Sequence, residues 1–168
     1  MAAQPGVDAI WRLLAEEKGE GQFSEAELDG LPEPAVRYFR HVLEPGAPLA
    51  RSVQLKMHGA LRLKQRWLPM RAQQVLAAGK GLVCNASLRM GIMPIRGYDY
   101  YFEGQARVHW KLLGLVAVAD QSGPDVARSA AGRLAMESML VPASLLPRFG
   151  VQWTQEGKDG AVAAVPGG

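Results

Sequence analysis

The chain has 168 residues, of which 48% are hydrophobic, enough for one domain with its own core. Its single cysteine, Cys84, excludes a disulfide-rich secreted module and a cysteine-based zinc site. No charge-free apolar run reaches the ~20 residues of a membrane-spanning helix, and the first residues carry no basic leader. We therefore expect a cytoplasmic protein with no transmembrane segment.

The net charge of +3 is distributed unevenly. Residues 1–50 carry −5, residues 51–111 carry +9 and residues 112–168 carry −1. A concentrated positive segment can attract phosphates or anionic lipid headgroups. The simpler interpretation is that the acidic N-terminal segment folds back against the basic one.

The first fifty residues predict helices. Apolar residues recur with helical period from Val7 to Lys18, which is typical of a short amphipathic helix. A second main helix is predicted from Pro32 and Pro34, which favour a first helical turn, to about Leu43.

From Arg51 onward the apolar period changes from 3.6 to 2, which predicts β-strands. The six strand candidates are 51–58, 61–66, 70–77, 82–90, 95–104 and 106–119. Because parallel crossovers need a dozen or more residues, these short turns indicate an antiparallel meander. We expect a turn at Gly59. We also expect the apolar stretch from Leu112 to Ala119 to be covered on both faces.

A further helix is predicted after Pro124, with small residues that let it lie close to the sheet, and two more strands at 151–155 and 161–165. The predicted fold is α+β: N-terminal helices, then a curved, half-barrel-like antiparallel meander with a helix on its apolar face. Residues 1–30 are expected to form a helical extension and residues 31–168 a single domain. Since the last strand lies at the chain end, we expect a C-terminally incomplete domain whose exposed strand edge favours homo-oligomers.

Recognised catalytic motifs are absent from the sequence, including G-x-S-x-G, H-E-x-x-H and the phosphate-binding loop. His41, His58 and His109 fall on separate elements, so we expect neither a metal nor a cofactor. Cys84 is predicted to lie on the same face of its strand as Leu82, Ala86 and Leu88, which indicates a buried thiol. A non-enzymatic protein is therefore favoured, and an enzyme of unrecognised type stays an alternative.

The acidic residues of the basic segment are Asp99 and Glu103. On one strand they would lie about 13 Å apart, too far for a glycosidase pair. We expect them to pair with basic side chains on neighbouring strands. An enzyme would instead need titratable groups around Asp99, Tyr101 or His109 to meet in a pocket.

Aromatic residues supply the leading candidate site. Large aromatic side chains with polar tips suit a ligand cavity under a curved sheet, and they equally suit an ordinary sheet core. The candidate lining residues are Trp67, Tyr98, Tyr100, Phe102 and Trp110. The leading hypothesis is a binding module for an apolar or amphipathic small molecule, or a lipid.

Basic residues of the first hairpin supply the alternative site. Lys56, Arg62, Lys64 and Arg66 are predicted to share one face, where they would bind an anion or a nucleic acid. Of these two partners, the nucleic acid is the less expected.

Several segments taken together resemble a family of uncharacterised bacterial proteins with a domain of unknown function. They are residues 31–43, 61–64, Trp67-Leu68-Pro69, residues 73–75 and 112–120, Ser122-Gly123-Pro124 and residues 131–134. Members carry an L-P-x-P-V-x-R-Y helix, a W-x-P sequence where a strand begins and an L-L-G-L-x-x-V-A motif. The resemblance implies little chemistry, a C-terminally shortened chain and a sheet similar in outline to the half-barrels of lipoprotein carriers. The family favours proline where this chain has Ala117. It also favours an acidic residue near Gly132 to Met136, and in this chain Glu137 would take that role.

Overall fold

The computed structural model describes residues 5–166. The helices are α1 (Val7–Ala15), α2 (Glu33–Val42) and α3 (Pro124–Glu137). The strands are β1 (Ser52–Leu63), β2 (Arg66–Ala77), β3 (Gly81–Met90), β4 (Met93–Phe102), β5 (Gln105–Leu112), β6 (Val116–Ser122), β7 (Gln152–Glu156) and β8 (Gly160–Ala164). The α+β class is confirmed.

Strands β1 to β6 form one antiparallel sheet in which every strand pairs with the next. Three turns, β1–β2, β3–β4 and β5–β6, therefore lie at one end of the sheet, which we call the hairpin end. The turns β2–β3 and β4–β5 lie at the opposite end, which we call the helix end. The predicted meander is confirmed.

Two helices cover opposite faces of this sheet at its helix end. Ile10 and Leu14 of α1 are fully buried against Val75 and Val83. On the other face, α3 packs through Leu134 and its alanines against apolar residues that include Leu76, Leu82, Tyr101 and Ala106. Small α3 residues permit this close approach. We call the two surfaces the α1 face and the α3 face.

The expected turn at Gly59 is wrong. β1 continues through Gly59, which pairs with Met70, and the chain reverses at Lys64, where φ is 54°. The merged strand is therefore twelve residues long. Gly59 lies in an open part of the sheet, since nothing lies within 4 Å of the place where a Cβ would stand.

The long final strand that was expected over residues 106–119 is a hairpin, β5 and β6. Leu113 and Gly114 both adopt positive φ and reverse the chain. The expected burial on both faces is also wrong, since Val116 and Val118 are 60% and 53% exposed. The physical reason is that β6 is an edge strand, and α3 packs towards the helix end instead of covering this hairpin.

A second core lies beside the sheet. Phe39 of α2 and Leu146 are fully buried, and Trp153 of β7 packs against them. Short 3-10 turns between Ser138 and Phe149 carry the chain from α3 to the separate β7–β8 hairpin. This core places α2, α3 and the hairpin around one groove.

Candidate functional site

A polar row crosses the sheet beneath α3. Gln74, Cys84 and Asp99 are register neighbours on β2, β3 and β4, so their side chains share the α3 face. Gln74 is 2% exposed and Cys84 7% exposed. Buried polar groups need hydrogen-bond partners, and the helix above supplies them.

Arg133 of α3 reaches down to this row. Its Nε donates to Glu137 at 2.7 Å and its Nη2 donates to Oε1 of Gln74 at 2.8 Å. Its Nη1 forms an ion pair with Asp99. The amide of Gln74 also donates to Glu137, which closes the set. We call these residues, with Cys84, the Arg133 network.

Burial controls the ionisation of this network. It raises the pKa of Asp99 above its ordinary value, and the ion pair with Arg133 only partly opposes that rise. Burial, followed by the charge of Asp99, raises the pKa of the Cys84 thiol. For Arg133, burial alone would lower the pKa, but Glu137 and Asp99 outweigh it and raise it. Cys84 is therefore a protonated, buried thiol, as its sequence parity predicts.

The expected sheet partners of the two acidic residues are not the observed ones. Asp99 pairs with the helical Arg133 instead of a cation on a neighbouring strand. Glu103 stands in the β4–β5 turn with φ at 48°, and it has no ion pair within residues 5–166. Sequence reasoning missed Gln74 and Arg133. The available signal was Gln74, a polar residue that lies on the same face of β2 as the apolar Met70, Ala72 and Leu76.

A cleft of about 510 Å³ lies beside the network, between α3 and the sheet. Its lining combines Leu82, Val108 and Val126 with the charged Asp99 and Arg133. We call it the sheet cleft. Asp99 and Arg133 already bind each other, and Asp125, the third charged lining residue, pairs with Arg128. The sheet cleft therefore offers little unsatisfied chemistry to a ligand.

A second cleft, of about 640 Å³, lies between α2, α3 and the β7–β8 hairpin. Its walls include Tyr38, Trp153, Leu145, Met136 and Met139. Apolar as they are, the two methionines are 71% and 57% exposed. We call it the helix cleft.

The aromatic walls of the helix cleft are held in place. The indole of Trp153 donates to the carbonyl oxygen of Leu145 at 2.9 Å. The ring centroids of Tyr38 and Trp153 lie 6.4 Å apart, and the Tyr38 hydroxyl donates to the carbonyl oxygen of Met139 at 3.4 Å. Burial of Tyr38 raises its pKa, so its hydroxyl stays protonated at neutral pH.

The five aromatic residues singled out from the sequence do not meet in one cavity. Tyr98, Tyr100 and Phe102 lie on the α1 face, where the last two pack against the α1 core. Trp110 lies on the α3 face, opposite Gly97. Trp67 lies near the hairpin end and is 66% exposed.

The four basic residues singled out are also divided. Lys56 and Arg62 lie on the α1 face, and Lys64 lies in the turn. Arg66 pairs with Leu63 on the α3 face, because the two-residue turn shifts the parity of the second strand. Lys56 instead joins Arg71 in a broad cleft of about 800 Å³ on the α1 face, further lined by Arg96, His58, Gln73, Asn85 and Ser87.

Acidic N-terminal residues neutralise little of the basic sheet. Within residues 5–166 the one ion pair between the two segments is Glu17 with Lys80. In that same part of the chain, no cluster of three His, Cys, Asp or Glu side chains is placed to hold a metal ion. Nor does it contain a helix long and apolar enough to span a membrane.

A family described as a family of unknown function, DUF6544, matches residues 21–168. The chain therefore belongs to this family, which confirms the resemblance to a domain of unknown function. No curated protein and no solved structure matches the chain.

Proposed function

We propose that this protein is a binding module for an apolar or amphipathic small molecule, held in the helix cleft. The observation that carries the proposal is the pair of exposed methionines, Met136 and Met139, on the rim of an aromatic-walled cleft of about 640 Å³. This volume lies within the range of small-molecule sites. Methionine side chains adapt to irregular apolar ligands, so such a rim suits ligands of variable shape.

The helix cleft is the better host than the sheet cleft for such a molecule. An apolar ligand over Asp99 and Arg133 would displace water from charged groups without replacing their hydration. In the helix cleft the charged lining residue is Asp159, at the edge formed by the β7–β8 turn. An apolar body would rest against Met136 and Trp153, while a polar group would face Tyr38 or Asp159.

Gly132 provides a direct test. It lines the helix cleft, and nothing lies within 4 Å of the place where its Cβ would stand. Gly132→Leu places a branched apolar side chain in the cleft, at a helical position where leucine is favoured over glycine. Gly132→Ala makes the same backbone change with little volume and is the matched control.

The measurement is binding of N-phenyl-1-naphthylamine, a neutral fluorescent probe of apolar sites. We expect the wild type and Gly132→Ala to bind it alike, and Gly132→Leu to bind about tenfold more weakly or worse, through lost contact area. Equal binding by all three, or none by the wild type, would overturn the proposal.

A second candidate function, anion binding on the α1 face, is supported by the broad basic cleft. Lys56, Arg71 and Arg96 line it, and none of the three has an ion pair within the described chain. Affinity for a single-stranded oligonucleotide should fall steeply with salt and drop when these three become glutamine. Affinity that is indifferent to salt would contradict this function.

A further inference from the structure

Three hairpin turns project together from the hairpin end of the sheet. They lie within residues 60–67, 89–93 and 111–118, which we call the tip surface. With adjacent strands about 4.8 Å apart, the tips extend over about 24 Å. Neither α1 nor α3 covers them, because both helices pack against residues of the helix end.

The tip surface exposes many large apolar side chains. Ile92, in the β3–β4 turn, is 98% exposed, and Leu115, in the β5–β6 turn, is 83% exposed. The others are Leu61, Leu63, Trp67, Met93, Leu113, Val116 and Val118. An apolar group of this size at one end of a molecule indicates an interaction surface.

The same surface is strictly cationic. Arg62, Lys64, Arg66, Arg89 and Lys111 lie within its three ranges, and those ranges contain no aspartate or glutamate. Within residues 5–166 none of the five is in an ion pair. A partner for this surface must therefore accept aliphatic side chains and supply negative charge.

We propose that the tip surface docks on a bilayer of anionic phospholipid. Ile92 and Leu115 enter the boundary between headgroups and acyl chains, and the five cations contact the phosphates. This inference concerns a surface different from the helix cleft and goes beyond the proposed function.

Charge and composition argue against two other occupants. A second copy placed tip to tip would bring ten cations together with no carboxylate between them. A nucleic acid would satisfy the cations but leave Ile92 and Leu115 in water. It would also find one aromatic platform, Trp67, where single-stranded binding uses several.

Vesicle co-sedimentation of the full chain tests the proposal. We expect binding to vesicles of equal parts phosphatidylcholine and phosphatidylglycerol, and weak or no binding to phosphatidylcholine alone. Ile92→Ser with Leu115→Ser should weaken binding about tenfold or more. Leu13→Ser with Val162→Ser, which alters exposed apolar side chains away from the tips, should not.

Two triple variants with the same net charge distinguish the effect of the tip cations on binding from the effect of the net charge of the protein. Replacing Lys64, Arg66 and Arg89 by glutamine should weaken binding by about fivefold for each cation removed. Replacing Arg12, Arg128 and Lys158 by glutamine changes the net charge equally and should have little effect. All six side chains belong to exposed residues, so the variants are expected to fold.

Several results would overturn the proposal. They are absence of binding to anionic vesicles, equal binding to neutral vesicles, or equal effects of the tip variants and their controls. Oligonucleotide binding that is tighter than vesicle binding, and that the Lys64, Arg66 and Arg89 triple variant loses while glutamine at Lys56, Arg71 and Arg96 leaves it unchanged, would assign the tip surface to nucleic acid instead. Gly132→Leu should bind vesicles as the wild type does, because Gly132 lies outside the tip surface. The vesicle experiment therefore tests the tip surface whether or not the helix cleft binds a small molecule.

Discussion

Arg133 on α3 and Asp99 on β4 form an ion pair that joins the helix to the sheet. Gln74 and Glu137 accept further hydrogen bonds from the same guanidinium, so the junction involves β2, β4 and α3. This junction matters for binding because α3 is a wall of both clefts: Arg133 faces the sheet cleft and Met136 faces the helix cleft.

Replacing Arg133 should therefore destabilise the protein. Arg133→Met leaves the carboxylates of Asp99 and Glu137 without their cation and Gln74 without a donor, which should cost about 2–4 kcal/mol of unfolding free energy in a urea titration. Arg128→Met, on the exposed side of the same helix, should cost less than about 0.5 kcal/mol. Equal losses would show that the network does not hold α3.

The ionised carboxylate of Asp120 should make the stability of the fold sensitive to acid. It accepts hydrogen bonds from Arg107 at 2.8 and 2.9 Å, and these hold its pKa at about 2, below the ordinary 3.8. The folded state thus binds this proton less tightly than the unfolded chain. The stabilisation is complete above about pH 3.8 and is lost as pH falls towards about 2. The stability difference between wild type and Asp120→Asn should shrink over that range, and a constant difference would refute the assignment.

Adjacent leucines on α1 form a matched pair. Leu14 is fully buried against Val75 and Val83, whereas Leu13 is 49% exposed. Leu14→Ala should cost about 2–4 kcal/mol of unfolding free energy, and Leu13→Ala less than about 1 kcal/mol. Similar values for the two variants would mean that α1 does not pack on the sheet as described.

Two glycines within strands should respond in opposite ways. A Cβ on Gly97 would stand 2.4 Å from the carbonyl oxygen of His109 and 2.5 Å from the Trp110 ring, so Gly97→Ala should destabilise the sheet by about 1–3 kcal/mol. A Cβ on Gly59 meets open space, and Gly59→Ala should be neutral or slightly stabilising. Thermal unfolding of both variants measures these effects. An unfolding temperature of Gly97→Ala equal to that of the wild type would contradict the register of β4 and β5.

The sequence predicted the fold better than the strand boundaries. Periodicity identified the helices and the meander because it depends on which face each residue buries. It placed a turn at Gly59 because glycine is a turn former, yet the reversal occurs at Lys64, a residue that rarely takes positive φ. The β5–β6 turn was missed for a similar reason, since Leu113 and Leu115 resemble strand residues.

The site was harder to predict because its residues are distant in sequence. Arg133 lies 34 residues from Asp99 and 59 from Gln74 along the chain, and no local pattern records such a contact. The shared face predicted for the basic residues failed because the turn at Lys64 changes the parity of the second strand, so Lys56 and Arg66 lie on opposite faces. The helix cleft was missed because it joins α2, α3 and β7–β8.

The most direct test of the proposed function is native mass spectrometry of the protein purified from cells, with Gly132→Ala and Gly132→Leu prepared in parallel. We expect wild type and Gly132→Ala to carry a noncovalent apolar adduct and Gly132→Leu to carry none. An adduct-free mass for all three proteins, or the same adduct on Gly132→Leu, would contradict binding in the helix cleft.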